Sequence, residues 1–159
     1  MADTMLIRPA RLEDAVAISA LIHSVTPFLT VNPDGAGAGE FLKTITPEAV
    51  RGYIAADNFV YQVAWAGDQL AGVVAMRDYR HLYHLFVAPE FQRQGLARRL
   101  WEHARSQAIT ARNDAGFTVN SSVFAVTVYE RFGFKASSPK VEAHGVAFVP
   151  MFITPETAP

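Results

Sequence analysis

The chain has 159 residues, 50% apolar and 18% charged, enough for one domain with a sizeable core spanning 1–159. A formal net charge of −1 gives no basic footprint for nucleic acid, and no apolar run near the N-terminus reads as a leader or membrane anchor. Without cysteine there are no disulfides, no thiolate metal sites and no covalent acyl-cysteine mechanism, and the expected compartment is cytoplasmic.

In chain order, Met5 to Arg8 reads as a short strand ended by Pro9. Leu12 to Val25 reads as a helix with Glu13 and Asp14 in its first turn, where carboxylates suit the helix dipole. From Phe28 to Thr46 the periodicity dissolves. Pro33, Gly35, Gly37 and Gly39 predict a flexible segment, with a short helical turn at Phe41–Leu42. Two readings of it stand, a mobile loop over a binding site and a plain surface loop. Gly35 to Gly39 is not read as a dinucleotide loop, because no apolar strand precedes it. Thr46 and Pro47 suit the N-cap and first position of a helix running to about Ala56. Phe59–Trp65 and Gln69–Met76 then form a hairpin about Gly67–Asp68.

His81 to Val87 is the next strand. Simple alternation places Leu82, His84 and Phe86 on one face and Tyr83, Leu85 and Val87 on the other. Pro89 stops it. From Gln94 the period becomes helical, with Leu96, Ala97, Leu100, Trp101, Ala104 and Ala108 on one face. Gly95 and Ala97 keep the helix entrance free of bulk, and its unpaired N–H groups would suit an anion. Arg93, Arg98 and Arg99 cluster there. Asn113 to Gly116 stops the helix, and Phe117 to Asn120 is a short buried strand. Ser121 or Ser122 caps a helix over 123–132 that Gly133 ends. Phe134 to Ala136 begins a strand, and Gly145 to Ile153 is the last one, with Pro150 implying an edge or a bulge. The tail from Thr154 is expected to fray. A meander followed by strand–helix–strand units gives a mixed α/β (α+β) domain.

Gln92-Arg93-Gln94-Gly95-Leu96-Ala97 resembles the Gln/Arg-x-x-Gly-x-Gly/Ala signature of the GNAT superfamily of N-acetyltransferases. A second family-like block, Val119 to Ser122 through Tyr129-Glu130-Arg131-Phe132-Gly133-Phe134, follows, and the likeness extends over roughly Leu6 to Phe152. The resemblance implies a mostly antiparallel sheet of six to seven strands, flanked by helices, whose two central parallel strands splay apart around the cofactor. It implies acetyl-CoA as cosubstrate, with its pyrophosphate on Gln92, Arg93, Gln94, Gly95, Leu96, Ala97 and Arg98. Backbone groups of Leu85, Phe86 and Val87 would pair with the pantetheine arm, and the Leu85 amide would serve as oxyanion donor. Tyr129 would protonate the leaving thiolate, and Asn120 would bind pantetheine or cap the following helix.

The family's carboxylate base has no counterpart. His81 stands at that position, so proton removal falls to His81 or to ordered water. His84, three residues on, is expected on the opposite face, which argues against a metal pair, and no metal is expected. The acceptor implied is a small-molecule primary amine, attacked directly in a ternary complex. A non-catalytic acyl-CoA sensor and a protein-directed acetyltransferase are the alternatives. Family members often dimerise, and an exposed last strand would offer a homodimer route.

Overall fold

The computed structural model describes residues 5–111 and 115–154. Its strands are β1 (Leu6–Pro9), β2 (Phe59–Ala66), β3 (Gln69–Arg77), β4 (His81–Val87), β5 (Phe117–Ser121), β6 (Lys135–Ala136), β7 (Val141–Ala143) and β8 (Val146–Ile153). Its helices are α1 (Ala15–Val25), α2 (Gly39–Lys43), α3 (Pro47–Ala55), α4 (Leu96–Ala111) and α5 (Val126–Arg131). The sheet runs β1-β2-β3-β4-β5-β8-β6, with β7 paired to β8 off that path. Every pairing is antiparallel except β4 with β5. This is the mixed, mostly antiparallel sheet expected, with its parallel pair in the middle.

Two apolar layers hold helices to the two faces. On one, Leu96, Leu100, Trp101, Ala104 and Ala108 of α4 pack with Val74, Met76, Leu82, Val119, Tyr129 and Phe134. Trp101 anchors this layer, its ring 5.2 Å from both Phe117 and Phe134. On the other, Ala15, Ile18, Leu21 and Ile22 of α1 and Val50 of α3 meet Tyr61, Val63, Val73 and Ala75. Each fully buried large side chain contributes roughly 1.5–3 kcal/mol. Gly72 lets α4 sit close on β3, because a Cβ there would come within 2.9 Å of Leu100 Cδ1 and 3.2 Å of Leu96 Cδ2.

Several local expectations change. The first helix is a 3-10 turn over Leu12–Asp14 leading into α1. Asp14 is buried rather than displayed to the dipole, and its carboxylate takes two bonds from Arg8, at 2.9 and 3.1 Å, and one from the Arg11 amide at 2.7 Å. Thr46 does cap α3, accepting from Ala49 N–H at 3.1 Å. Ser122 takes the N-cap position before the 3-10 turn Val123–Ala125, but neither serine makes a capping bond. The Ser121 hydroxyl instead donates to the Ser122 carbonyl at 2.6 Å.

The last strand is interior, not an edge, so it offers no free ladder to a second copy. β8 lies between β5 and the short strands β6 and β7. Pro150 is paired opposite Asn120 on one side, while on the other it falls between the ends of β6 and β7, where no ladder needs its missing N–H. The 28–46 segment is also held more firmly than its glycines suggest. Val31 N–H bonds the Gly145 carbonyl at 2.8 Å, and Ala147 N–H bonds the Leu29 carbonyl at 3.2 Å. Thr30 and Ala38 are buried, and Thr30 bridges Val146. Asn113 and Asp114, in the expected stop after α4, and the tail beyond Thr154 lie outside the described residues.

Candidate active site

The centre of the sheet is open. β4 and β5 pair only through His81 with Thr118 and Leu82 with Val119, and no pairing continues beyond them. The cause lies one residue on. Across β3, Ala75 faces His84 but Met76 faces Leu82, so Tyr83 is an extra, unpaired residue. Such a β-bulge bends its strand and increases the local twist. β4 therefore leaves β5 immediately after Leu82.

The bulge also changes which side chains share a face, correcting the simple alternation. Leu82 now joins Leu85 and Val87 toward α4 and α5. Tyr83 and Phe86 belong to the layer under α1 and α3. The adjacent rings of Tyr83 and His84 lie only 4.6 Å apart, which straight alternation would forbid. His81 and His84 thus share a face, since both approach Tyr83, at 6.4 and 4.6 Å between ring centroids. They do not form a metal pair. His84 Nδ1 is 2.8 Å from the Tyr61 hydroxyl, and His81 Nδ1 is 2.8 Å from Thr118 Oγ1. No group of three His, Cys, Asp or Glu able to hold a metal occurs among the described residues.

Backbone direction follows from the ladder. In an antiparallel pair, alternate residues turn their N–H and C=O toward the partner. Ala88 N–H bonds the Ala71 carbonyl at 2.8 Å. By the same alternation His84 and Phe86 face β3, and Leu85 and Val87 face the gap. Of the three expected cofactor-pairing residues, Phe86 is therefore spent on β3. The Val87 carbonyl accepts from Gln92 Nε2 at 3.0 Å, which ties the loop ahead of α4 to the gap's rim.

That loop turns through two left-handed residues, Arg93 at φ 65° and Gly95 at φ 81°. The first costs of order 1–2 kcal/mol for a residue with a Cβ. The N–H groups from Arg93 to Arg98 make no hydrogen bond to any described residue, and the first turn closes only at Arg99 N–H on the Gly95 carbonyl, 3.1 Å. Six consecutive free amides at the start of a sixteen-residue helix are the donor arrangement that suits an anion. Gln94, Leu96 and Ala97 contribute amides to it, Leu96 with its side chain buried under the helix. Arg98 contributes its amide, while its guanidinium lies 5.1 Å from the Phe132 ring and donates to the Arg131 carbonyl at 3.4 Å.

Tyr129 sits on the α4 side, only 6% exposed, with Phe132 and Phe134 edge-on at 5.9 and 5.7 Å. Its hydroxyl makes no hydrogen bond to a described residue, and burial pushes its pKa well above that of a free phenol. Asn120 alternates with the buried Val119, so it turns to the opposite face from Tyr129 and is exposed. His81, at the closed end of the gap, is held below the usual imidazole range by burial and then by Arg77. His84 is lowered to about 3 by burial alone and stays neutral. The ring network of Tyr53, Tyr61, Tyr83 and His84 was not anticipated. It depends on the bulge at Tyr83, which no local pattern in the sequence marks.

Comparison with known proteins is consistent with this geometry. The model of the acetyltransferase (GNAT) domain family matches residues 30–155. No protein of curated function matches the chain. Among solved structures, the PaiA N-acetyltransferase of Thermoplasma acidophilum, in complex with coenzyme A, superposes with a TM-score of 0.78 at 14% identity, covering 95% of this chain and 99% of that one. An acetyltransferase of the GNAT family from Streptococcus pneumoniae gives 0.70 at 19%, covering 94% and 98%. The spermidine N-acetyltransferase of Vibrio cholerae, in complex with CoA and spermine, gives 0.69 at 19%, covering 95% of each. At these identities the likeness is one of fold.

Proposed function

The chain belongs to the GNAT acetyltransferase domain family, and from that premise we propose that it transfers acetyl from acetyl-CoA to a small primary amine by direct attack in a ternary complex. The observation that carries this reading is the conjunction of an open β4–β5 gap with six free amides at its rim. A pyrophosphate needs such donors, and a pantetheine arm needs unpaired strand groups like the Leu85 backbone and the Val87 N–H. When bound, acetyl-CoA supplies a thioester activated toward nucleophiles.

The chain's own residues then divide the work. The amides from Arg93 to Arg98 hold the phosphates, and Gln92 fixes the loop to Val87. The Leu85 amide, facing the gap, donates to the developing oxyanion. Tyr129 returns a proton to the departing sulfur. His81 is four residues before Leu85, roughly 13 Å along an extended strand. Any proton path from the amine to His81 therefore runs through water. Asn120 faces away from Tyr129, and its place in this scheme is at the gap's other rim.

A thermal melt with acetyl-CoA, coenzyme A and NAD tests the cofactor. At about 100 times its dissociation constant a ligand adds about 2.7 kcal/mol, which raises the midpoint by several degrees at this size. Both coenzyme A forms should give the shift and NAD none. Equal silence from all three would remove the enzyme reading.

A further inference from the structure

Resting on that reading, we propose that Phe28 and Phe124 form the acceptor-recognition wall, and that the acceptor is a monoamine with an aromatic or otherwise apolar body rather than a polyamine. The two rings meet edge-to-face with centroids 5.5 Å apart, yet they stay 50% and 71% exposed. Phe28 follows α1, which packs on one face of the sheet. Phe124 precedes α5, which packs on the other. Elements on opposite faces can touch only past an end of the sheet, and Phe124 lies three residues beyond Ser121, where β5 ends. The pair therefore stands at the open mouth between β4 and β5, continuous with the gap that exposes the Leu85 backbone.

Exposed aromatic rings are common on protein surfaces, so a second feature matters. The segment bearing Phe28 is fixed, through Val31 on Gly145 and Ala147 on Leu29, so its ring is presented rather than swept about. Charge then selects the acceptor class. A polyamine brings a second ammonium that needs a free carboxylate. In the 28–46 segment and in β7, each carboxylate has a neighbour that competes for it. Asp34 accepts from the Ala36 amide at 3.0 Å, Glu40 pairs with Lys43 at 3.3 Å, and Glu142 pairs with Lys140 at 3.1 Å. Val31 and Val123, both exposed, extend the same apolar surface. An apolar body lying on this wall would bring its single amine into the gap.

The test uses the full chain, acetyl-CoA and three acceptors, 2-phenylethylamine, hexylamine and spermidine, with thiol release as the readout. The first two should exceed spermidine at least tenfold in kcat/KM. Phe124→Ala should raise KM for 2-phenylethylamine about tenfold with kcat within twofold, in line with what one aromatic contact is worth. Phe124→Leu should restore most of the loss. Preference for spermidine, or an unchanged KM in both Phe124→Ala and Phe28→Ala, overturns the proposal while leaving acetyl transfer intact. No turnover with any amine, despite a melting shift on acetyl-CoA, overturns the transfer reading and this inference with it.

Discussion

At Tyr129 burial and proposed chemistry pull in the same direction. Burial among Phe132 and Phe134 raises the phenol's pKa, so the acid form is fully present below that raised value and persists through mildly alkaline pH. A phenol that reluctant would be a poor donor to a thiolate in water. A thiolate forming in the same apolar surroundings is destabilised by the same burial, which keeps donor and acceptor matched. Turnover should therefore hold from pH 7 to about 9.5, and Tyr129→Phe should lower kcat on the order of a hundredfold with acetyl-CoA affinity within twofold. Full turnover in that variant would take Tyr129 out of the reaction. The other limb tests His81. Its pKa is lowered, so the neutral form that accepts protons prevails above a value below the ordinary 6.5 and is lost only as pH falls further. If the acid limb of kcat belongs to His81, His81→Gln flattens it. A limb unmoved by that change assigns proton removal to water.

Between β4 and α4 the loop geometry matters more than any one side chain. Nothing lies within 4 Å of a Cβ built on Gly95, but its φ of 81° is one that a β-branched residue strongly resists. Gly95→Val should therefore re-aim the free amides without a clash. The expected outcome is at least a tenfold loss of acetyl-CoA affinity by calorimetry, against a stability loss of about 1–2 kcal/mol. Comparable instability with intact affinity would show that the amides do not hold the cofactor. This loop was legible in the sequence because glycine, the change of period and the apolar stripe of α4 are all local signals. The hairpin about Gly67 and the Thr46 cap were legible for the same reason. The bulge at Tyr83 was not, since neither glycine nor proline marks it and its pairing with β3 is a long-range fact. Missing it reversed the faces of half the strand and put His81 and His84 on opposite sides. Pro150 misled similarly. Its place depends on two short strands that break on either side of it, which no local pattern in β8 records.

At the scale of the whole molecule, the two irregular segments act as one structure. Gly145, at φ 79° in the turn between β7 and β8, sits against Gly37 and Ala38, where an added Cβ would collide with the Gly37 carbonyl and the Ala38 nitrogen. That contact and the bonds of Val31 and Ala147 join the 28–46 segment to the β7–β8 hairpin as a single wall. Gly145→Val would strain the turn and drive the segments apart, because backbone atoms cannot yield as a flexible side chain can. At this chain length each kcal/mol lost lowers the melting midpoint by about 2–4 °C. A fall of several degrees is expected. The cofactor's proposed contacts come from β4 and the start of α4, while the atoms nearest an added Gly145 Cβ belong to Gly37 and Ala38, so the melting shift produced by acetyl-CoA should keep its size. The KM for the amine should rise several-fold, since the ring of Phe28 loses its support. If the acetyl-CoA shift collapsed as well, the wall and the cofactor gap would be one cooperative unit, and acceptor recognition could not be tuned apart from cofactor binding.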